Sequence, residues 1–245
     1  MTAIDAYFGN LTELLNRIVT TQKEGMETAA RRIADCFRNG GMVYTFGTGH
    51  GHLLALEIFY RAGGMARLCP ILDEKLMLHI SAAGSTQEER NEDWVNILLE
   101  KYPIKEGDVL IDMSNSGRNA VPVLLAVEAR KRGAYVIALT SMQHTQAVTS
   151  RNRLGLRLFE AADLVLDNGG ALGDASWQAG DGSMVGPTST AVGAAMLQSI
   201  VCRVKELALE EGIEADYFKS SNVDGGDEYN DRLIERYRNQ IPGLA

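Results

Sequence analysis

Five short, mostly apolar runs, residues 42–46, 66–72, 108–113, 134–139 and 163–167, alternate with segments of helical character. Continuous apolar runs of this length read as strands buried on both faces, and helix-length connections between them pair such strands in parallel. The pattern predicts an α/β fold: a five-stranded parallel sheet sandwiched by helices, with helical extensions at both ends.

The connections fit that frame. Residues 3–39 form one or two amphipathic helices: Asn10 can cap the run that follows, Ile33 and Phe37 share a face, and Asn39-Gly40-Gly41 breaks the second helix. Later helices are expected from 52 to the stop at Gly63-Gly64, over 88–102 before Pro103, and after Asn119 with Pro122 in the first turn and Arg130-Lys131-Arg132-Gly133 at the end. Residues 145–159 are helical in part, and residues 168–186, with six glycines, form an irregular loop. A long helix over 188–211 carries the stripe Val192, Met196, Ile200, Val204 and Leu207, small residues at Ala191, Gly193, Ala194 and Ala195, and a stop at Gly212. At 245 residues one core is favoured. The chain is therefore expected to be a single domain over 1–245, made of helices 3–39, a core 41–212 and a tail 213–245.

Charge and cysteine content exclude several function classes. A formal charge of −8 argues against nucleic acid as the main partner, because phosphate-backbone binding needs a basic stripe. A small anion held by backbone amides remains compatible with that field. Cys36, Cys69 and Cys202 have no metal-like spacing, which points to a reduced setting. No signal-peptide pattern and no span of membrane length are present, so the expected location is cytoplasmic, with no membrane partner.

Two loops stand out. Gly47, Thr48, Gly49, His50, Gly51 and His52 follow the first strand and open a helix, where unpaired amides and the helix dipole favour an anion. Ser114, Asn115, Ser116, Gly117, Arg118 and Asn119 follow the third strand and open another helix, adding hydroxyl and amide donors. In a doubly wound sheet of order 2-1-3-4-5, these loops flank the point where the connections reverse, which is where ligands bind. For either loop alone, turn-shaping and capping are a sufficient account; the pair points to a ligand site. A dinucleotide-binding reading of the first loop is disfavoured, since the third glycine of its fingerprint would be His52 and the acidic pair Asp73-Glu74 comes late.

G-T-G-H-G-H after strand one and S-N-S-G-R-N after strand three resemble the paired motifs of the SIS, or sugar isomerase, family, over residues 33–209. The resemblance implies a flavodoxin-like SIS fold and a phosphorylated sugar as ligand. The phosphate would be bound by Gly47, Thr48, Gly49 and Gly51 of the first loop and by Ser114, Asn115, Ser116, Gly117 and Asn119 of the second. Position 119 is commonly threonine in that family, and Gly51 stands where many members have serine. The segment 185–190 and the small-residue helix are similar to the etherase branch acting on N-acetylmuramic acid 6-phosphate, and phosphoheptose isomerases share the overall pattern.

Aldose–ketose isomerisation needs a base of moderate pKa and a donor at the carbonyl oxygen. Glu57 is the acidic residue of the apolar run 53–60, where desolvation would raise its pKa; pairing with Arg61 one turn later is the structural alternative. His50 and His52 are expected beside the sugar ring, or as turn residues. A metal is disfavoured because no cysteine or carboxylate completes their set. His79 and His144 read as structural, Asp174 and Asp181 as loop residues within reach of sugar hydroxyls, and Asp224-Gly225-Gly226-Asp227 as a turn. The leading expectation is a sugar-phosphate isomerase without cofactor, working as a homodimer with its site near the subunit interface. The alternatives are an elimination on an amino-sugar phosphate and a non-catalytic sugar-phosphate sensor.

Overall fold

A computed structural model describes residues 2–244. In chain order its elements are α1 (Ala3–Thr21), α2 (Lys23–Arg38), β1 (Val43–Gly47), α3 (Gly51–Glu57), β2 (Leu68–Pro70), α4 (Ala82–Glu88), α5 (Trp94–Lys101), β3 (Val109–Met113) and α6 (Ala120–Lys131). There follow β4 (Tyr135–Thr140), α7 (Met142–Gln146), α8 (Leu158–Ala161), β5 (Leu164–Asp167), β6 (Ala175–Gln178), β7 (Met184–Pro187), α9 (Ser189–Glu211) and α10 (Gly226–Tyr237).

The alternation of apolar runs predicts the parallel sheet, and its strand order β2-β1-β3-β4-β5 is the one that the SIS resemblance implies. Register places Gly47 beside Met113, so β1 and β3 end at the same level and their loops emerge side by side. Residues alternate across the sheet. Leu110 and Val136 join the core with α5 and α6, whereas Val109, Ile111 and Met113 face α2, α3 and α9. Each fully buried leucine or isoleucine in these layers contributes about 2 kcal/mol. Both faces are covered, which is why the strands read as unbroken apolar runs rather than as alternating ones.

Several local expectations are revised. Asn10 does not cap a helix: α1 already starts at Ala3 under a Thr2–Asp5 capping box, and Asn10 Nδ2 donates to the Ser176 carbonyl at 2.8 Å. The helix after the first loop stops at Glu57, well short of Gly63, because Tyr60 takes φ 40° and the chain turns away. The segment 88–102 is broken: Glu88 ends α4 and accepts from Trp94 Nε1 at 2.7 Å, and Asn91 Oδ1 accepts the Asp93 amide in a tight turn before α5. Only short helices bracket 147–157, where Asn152 ties a loop by bonding Leu156 O and the Leu154 amide.

The glycine-rich stretch is no irregular loop but carries the β6–β7 antiparallel hairpin. It is braced on α1, where Tyr7 Oη donates to the Pro187 carbonyl at 2.9 Å. The small residues of α9 serve the chain itself: a Cβ on Gly193 would lie 2.6 Å from Leu54 Cδ1, so α3 packs there within the chain. Gly212 ends α9 in the left-handed conformation, as expected. Among the described residues no helix is long and apolar enough to cross a membrane.

Candidate functional site

Above the carboxyl ends of β1 and β3 lies a cavity of about 420 Å³, lined by residues of both donor-rich loops. The two corners approach closely. A Cβ on Gly51 would sit 2.5 Å from the Met113 carbonyl oxygen, so the start of α3 can press against the end of β3 only with glycine there. That contact accounts for glycine at a position where serine is common in the resembling family. A broader surface groove of about 780 Å³ opens at the opposite end of the sheet. Several of its charges pair locally, as in Arg130 with Asp163 at 2.8 Å, and among the described residues none of either donor loop lines it.

The second loop is rigidly built and leaves donors free. The Ser114 amide bonds the Leu139 carbonyl, and the Asn115 carbonyl accepts from the Ser141 amide and Thr140 Oγ1. Gly117, at φ 56°, turns the chain so that its amide donates to Ser114 Oγ at 3.2 Å; a Cβ there would meet Thr145 Oγ1 at 3.0 Å. Asn168 Nδ2 donates to Asn115 Oδ1 at 2.9 Å, which fixes the Asn115 side chain. Among the described residues, the Asn115 and Ser116 amides and the Ser116 hydroxyl have no protein partner. Neutral donors held in place, with nothing of their own to bind, suit an anion.

The first loop does different work from the expected amide nest. The Gly49 amide is taken by the Leu76 carbonyl at 3.1 Å and the Gly51 amide by Thr48 O at 2.9 Å, while α3 runs only seven residues. Thr48 Oγ1 donates to Glu89 Oε2 at 2.7 Å, and Asn119 Nδ2 donates to Glu89 Oε1 at 2.6 Å. Thr48 and Asn119, both expected on the phosphate, thus grip the same carboxylate. Burial raises the pKa of Glu89 above the ordinary value, partly opposed by the Thr48 bond and by Arg90 and Arg151. Glu89 lines the cavity.

The remaining predicted residues scatter. His50 is exposed and lines the cavity. His52 is buried instead: its Nδ1 donates to the Gly49 carbonyl at 3.1 Å, its ring meets His79 edge-on, and desolvation lowers its pKa, so it serves as a residue of the turn. Glu57 is not a cavity residue; it pairs with Arg61 and accepts from Gln198 Nε2 at 3.1 Å, the structural alternative foreseen for it. His144, read as structural, lines the cavity with a buried Nδ1 that has no partner among the described residues, and burial lowers its pKa. Asp174, in the left-handed conformation, accepts from the Thr188 and Ser189 amides at 3.2 and 2.9 Å, and so fastens the hairpin to the start of α9.

Glu89 escaped sequence reasoning because it lies in the run Glu88-Glu89-Arg90-Asn91-Glu92-Asp93, which reads as a solvated helix face. The Val121 amide, in the helix after the second loop, donates to the Glu89 carbonyl and brings that run beside the loop. Only the tertiary fold makes that pairing visible.

Comparison with known proteins agrees with this architecture. The family model described as "SIS domain" matches residues 6–141. A UPF0309 protein of Geobacillus thermodenitrificans is 40% identical over 242 residues, covering 98% of this chain and 97% of the relative. Among solved structures, the phosphoheptose isomerase GmhA of Neisseria gonorrhoeae superposes with a TM-score of 0.54 at 17% identity, over 83% of this chain and 97% of that one. The sugar isomerase domain of an RpiR transcription factor from Sphaerobacter thermophilus gives 0.52 at 17% identity, over 98% and 99%. These two likenesses establish the shared fold. By its domain match and its nearly full-length relatives, the chain belongs to the SIS-domain family, alongside the UPF0309 proteins.

Proposed function

We propose that this protein binds a phosphorylated sugar and catalyses aldose–ketose isomerisation by proton transfer, with Glu89 as the base. The observation that carries the reading is one cavity uniting the free donors of 114–116 with a carboxylate of raised pKa. The phosphate sits on the Ser116 hydroxyl, the Asn115 and Ser116 amides and the side chains of Ser114 and Asn115. Binding energy from this fixed end holds the sugar chain in line with the base.

Glu89 removes the proton from the carbon next to the carbonyl, the carbonyl oxygen takes a proton from His50 or His144, and an enediol forms. Glu89 then returns its proton to the former carbonyl carbon, and the neighbouring hydroxyl becomes the new carbonyl as it gives its proton back to the histidine. No redox partner is consumed. A carboxylate raised above its usual pKa is a better base for this step than an exposed one. The protein works as a cytoplasmic homodimer in this reading.

The test is product analysis with hexose, pentose and heptose phosphates on wild type and Glu89→Gln. The expected result is turnover of one of them, with kcat lowered ~10²-fold or more in the variant and KM little changed. Binding of phosphosugars without turnover of any would replace the isomerase by a sensor.

A further inference from the structure

Three arginines are near enough to one another, and to the cavity residues Glu89 and His144, for their charges to be felt there. Arg90 directly follows Glu89, Arg118 directly precedes Asn119, and both of those neighbours line the cavity wall. Arg151 is drawn to the same place: its amide donates to the Arg118 carbonyl at 2.8 Å, in an isolated parallel bridge between Asn119 and Arg151.

The cluster is one-sided. The Arg118 guanidinium is steadied by the Thr149 carbonyl at 2.8 Å and by Thr149 Oγ1 at 3.2 Å, both neutral. Arg90 and Arg151 are exposed, and among the described residues none of the three forms an ion pair. Partial burial and then the like charges of Arg151 and Arg90 make the Arg118 proton easier to lose. The carboxylate beside them is Glu89, whose oxygens are already bound by Thr48 and Asn119. Glu89 feels the charges of Arg90 and Arg151 without pairing directly with either, so three neighbouring cations face one carboxylate.

The interior of the cavity is the complement: no lysine or arginine lines it. A first phosphate would be held there by neutral donors alone, leaving the arginines unused. Guanidinium groups present planar forks that match a carboxylate or a phosphate. Resting on the phosphosugar reading above, we propose that Arg90, Arg118 and Arg151 form a subsite for a second anionic group on the same ligand. The substrate class is thus a doubly anionic sugar derivative: a sugar phosphate that also carries a carboxylate or a second phosphate.

Titration calorimetry at 150 mM KCl, where screening acts over about 8 Å, compares three probes. They are fructose 6-phosphate, fructose 1,6-bisphosphate and 6-phosphogluconate, the last two separating a second phosphate from a carboxylate. The expected result is roughly tenfold tighter binding of at least one doubly anionic probe than of fructose 6-phosphate. In Arg90→Gln/Arg151→Gln that advantage falls below about threefold, while fructose 6-phosphate affinity stays within about twofold. Arg151→Gln alone is the second variant, and matching thermal unfolding confirms that each is folded. Equal or weaker binding of both doubly anionic probes, or an advantage that survives the substitutions, overturns the subsite. The phosphosugar reading fails separately, if Ser116→Ala leaves fructose 6-phosphate binding unchanged. If none of the three probes binds, both readings fall.

Discussion

The roles of Thr48 and Asn119 follow from which atoms they face. Each donates to one oxygen of Glu89, so each favours the charged carboxylate and fixes its orientation. Burial works the other way and keeps the pKa raised. A base of this kind acts only when ionised, so activity must rise with pH through the folded pKa of Glu89. Removing the Thr48 hydroxyl takes away one of the interactions that lower that pKa. Thr48→Val should therefore move the acid limb of the kcat/KM profile to higher pH, which a pH–rate series reads directly; an unmoved limb would show that Glu89 does not titrate in the reaction. Thr48 and Asn119 could not be separated from phosphate ligands by sequence. Both stand at motif positions, and the partner that claims them lies 41 and 30 residues away.

At the scale of elements, β3 carries a second consequence. Asp112 is fully buried, pairs in register with Phe46 and Ala138, and among the described residues has no partner for either carboxylate oxygen. Desolvation raises its pKa well above the ordinary value, so the folded chain holds this proton more tightly than the unfolded one. The sign follows: stability from this group is fully present below the unfolded pKa, near ~4, and is lost as pH rises through the folded pKa. Denaturant unfolding of Asp112→Asn should lose that decline. Asp112→Leu, which also removes the unpaired polar group, should be more stable than wild type at pH 7 by roughly 1–3 kcal/mol. Strand existence was legible because apolar runs and helix caps are local signals. The β6–β7 hairpin was hidden by its glycines, and the break before α5 depended on the Glu88–Trp94 bond, which periodicity does not encode.

For the whole molecule, the parallel sheet was readable from the alternation of strands and helices, whereas its order, and with it the meeting of the two loops, came from the resemblance carried by the loop motifs. Ile4, Phe8 and Val19 on α1, Leu53 and Leu56 on α3, and Met184 and Val185 on the hairpin are exposed apolar residues. Bonds from Tyr7 and Asn10 hold α1 against the hairpin, so two of these elements are neighbours. The homodimer proposed above gives such surface a cover, while Gly193 of α9 packs within the chain, against Leu54. Phe8→Glu should then shift the protein from dimer to monomer in light scattering; a wild-type monomer contradicts this. The central claim, that the 114–116 donors grip a phosphate ester, is tested most directly by titrating wild type and Ser116→Ala with a sugar phosphate and its unphosphorylated parent. The account predicts binding of the phosphorylated form alone, weakened by ~1–3 kcal/mol in the variant. Equal affinity for the parent sugar, or an unchanged dissociation constant in Ser116→Ala, would contradict it.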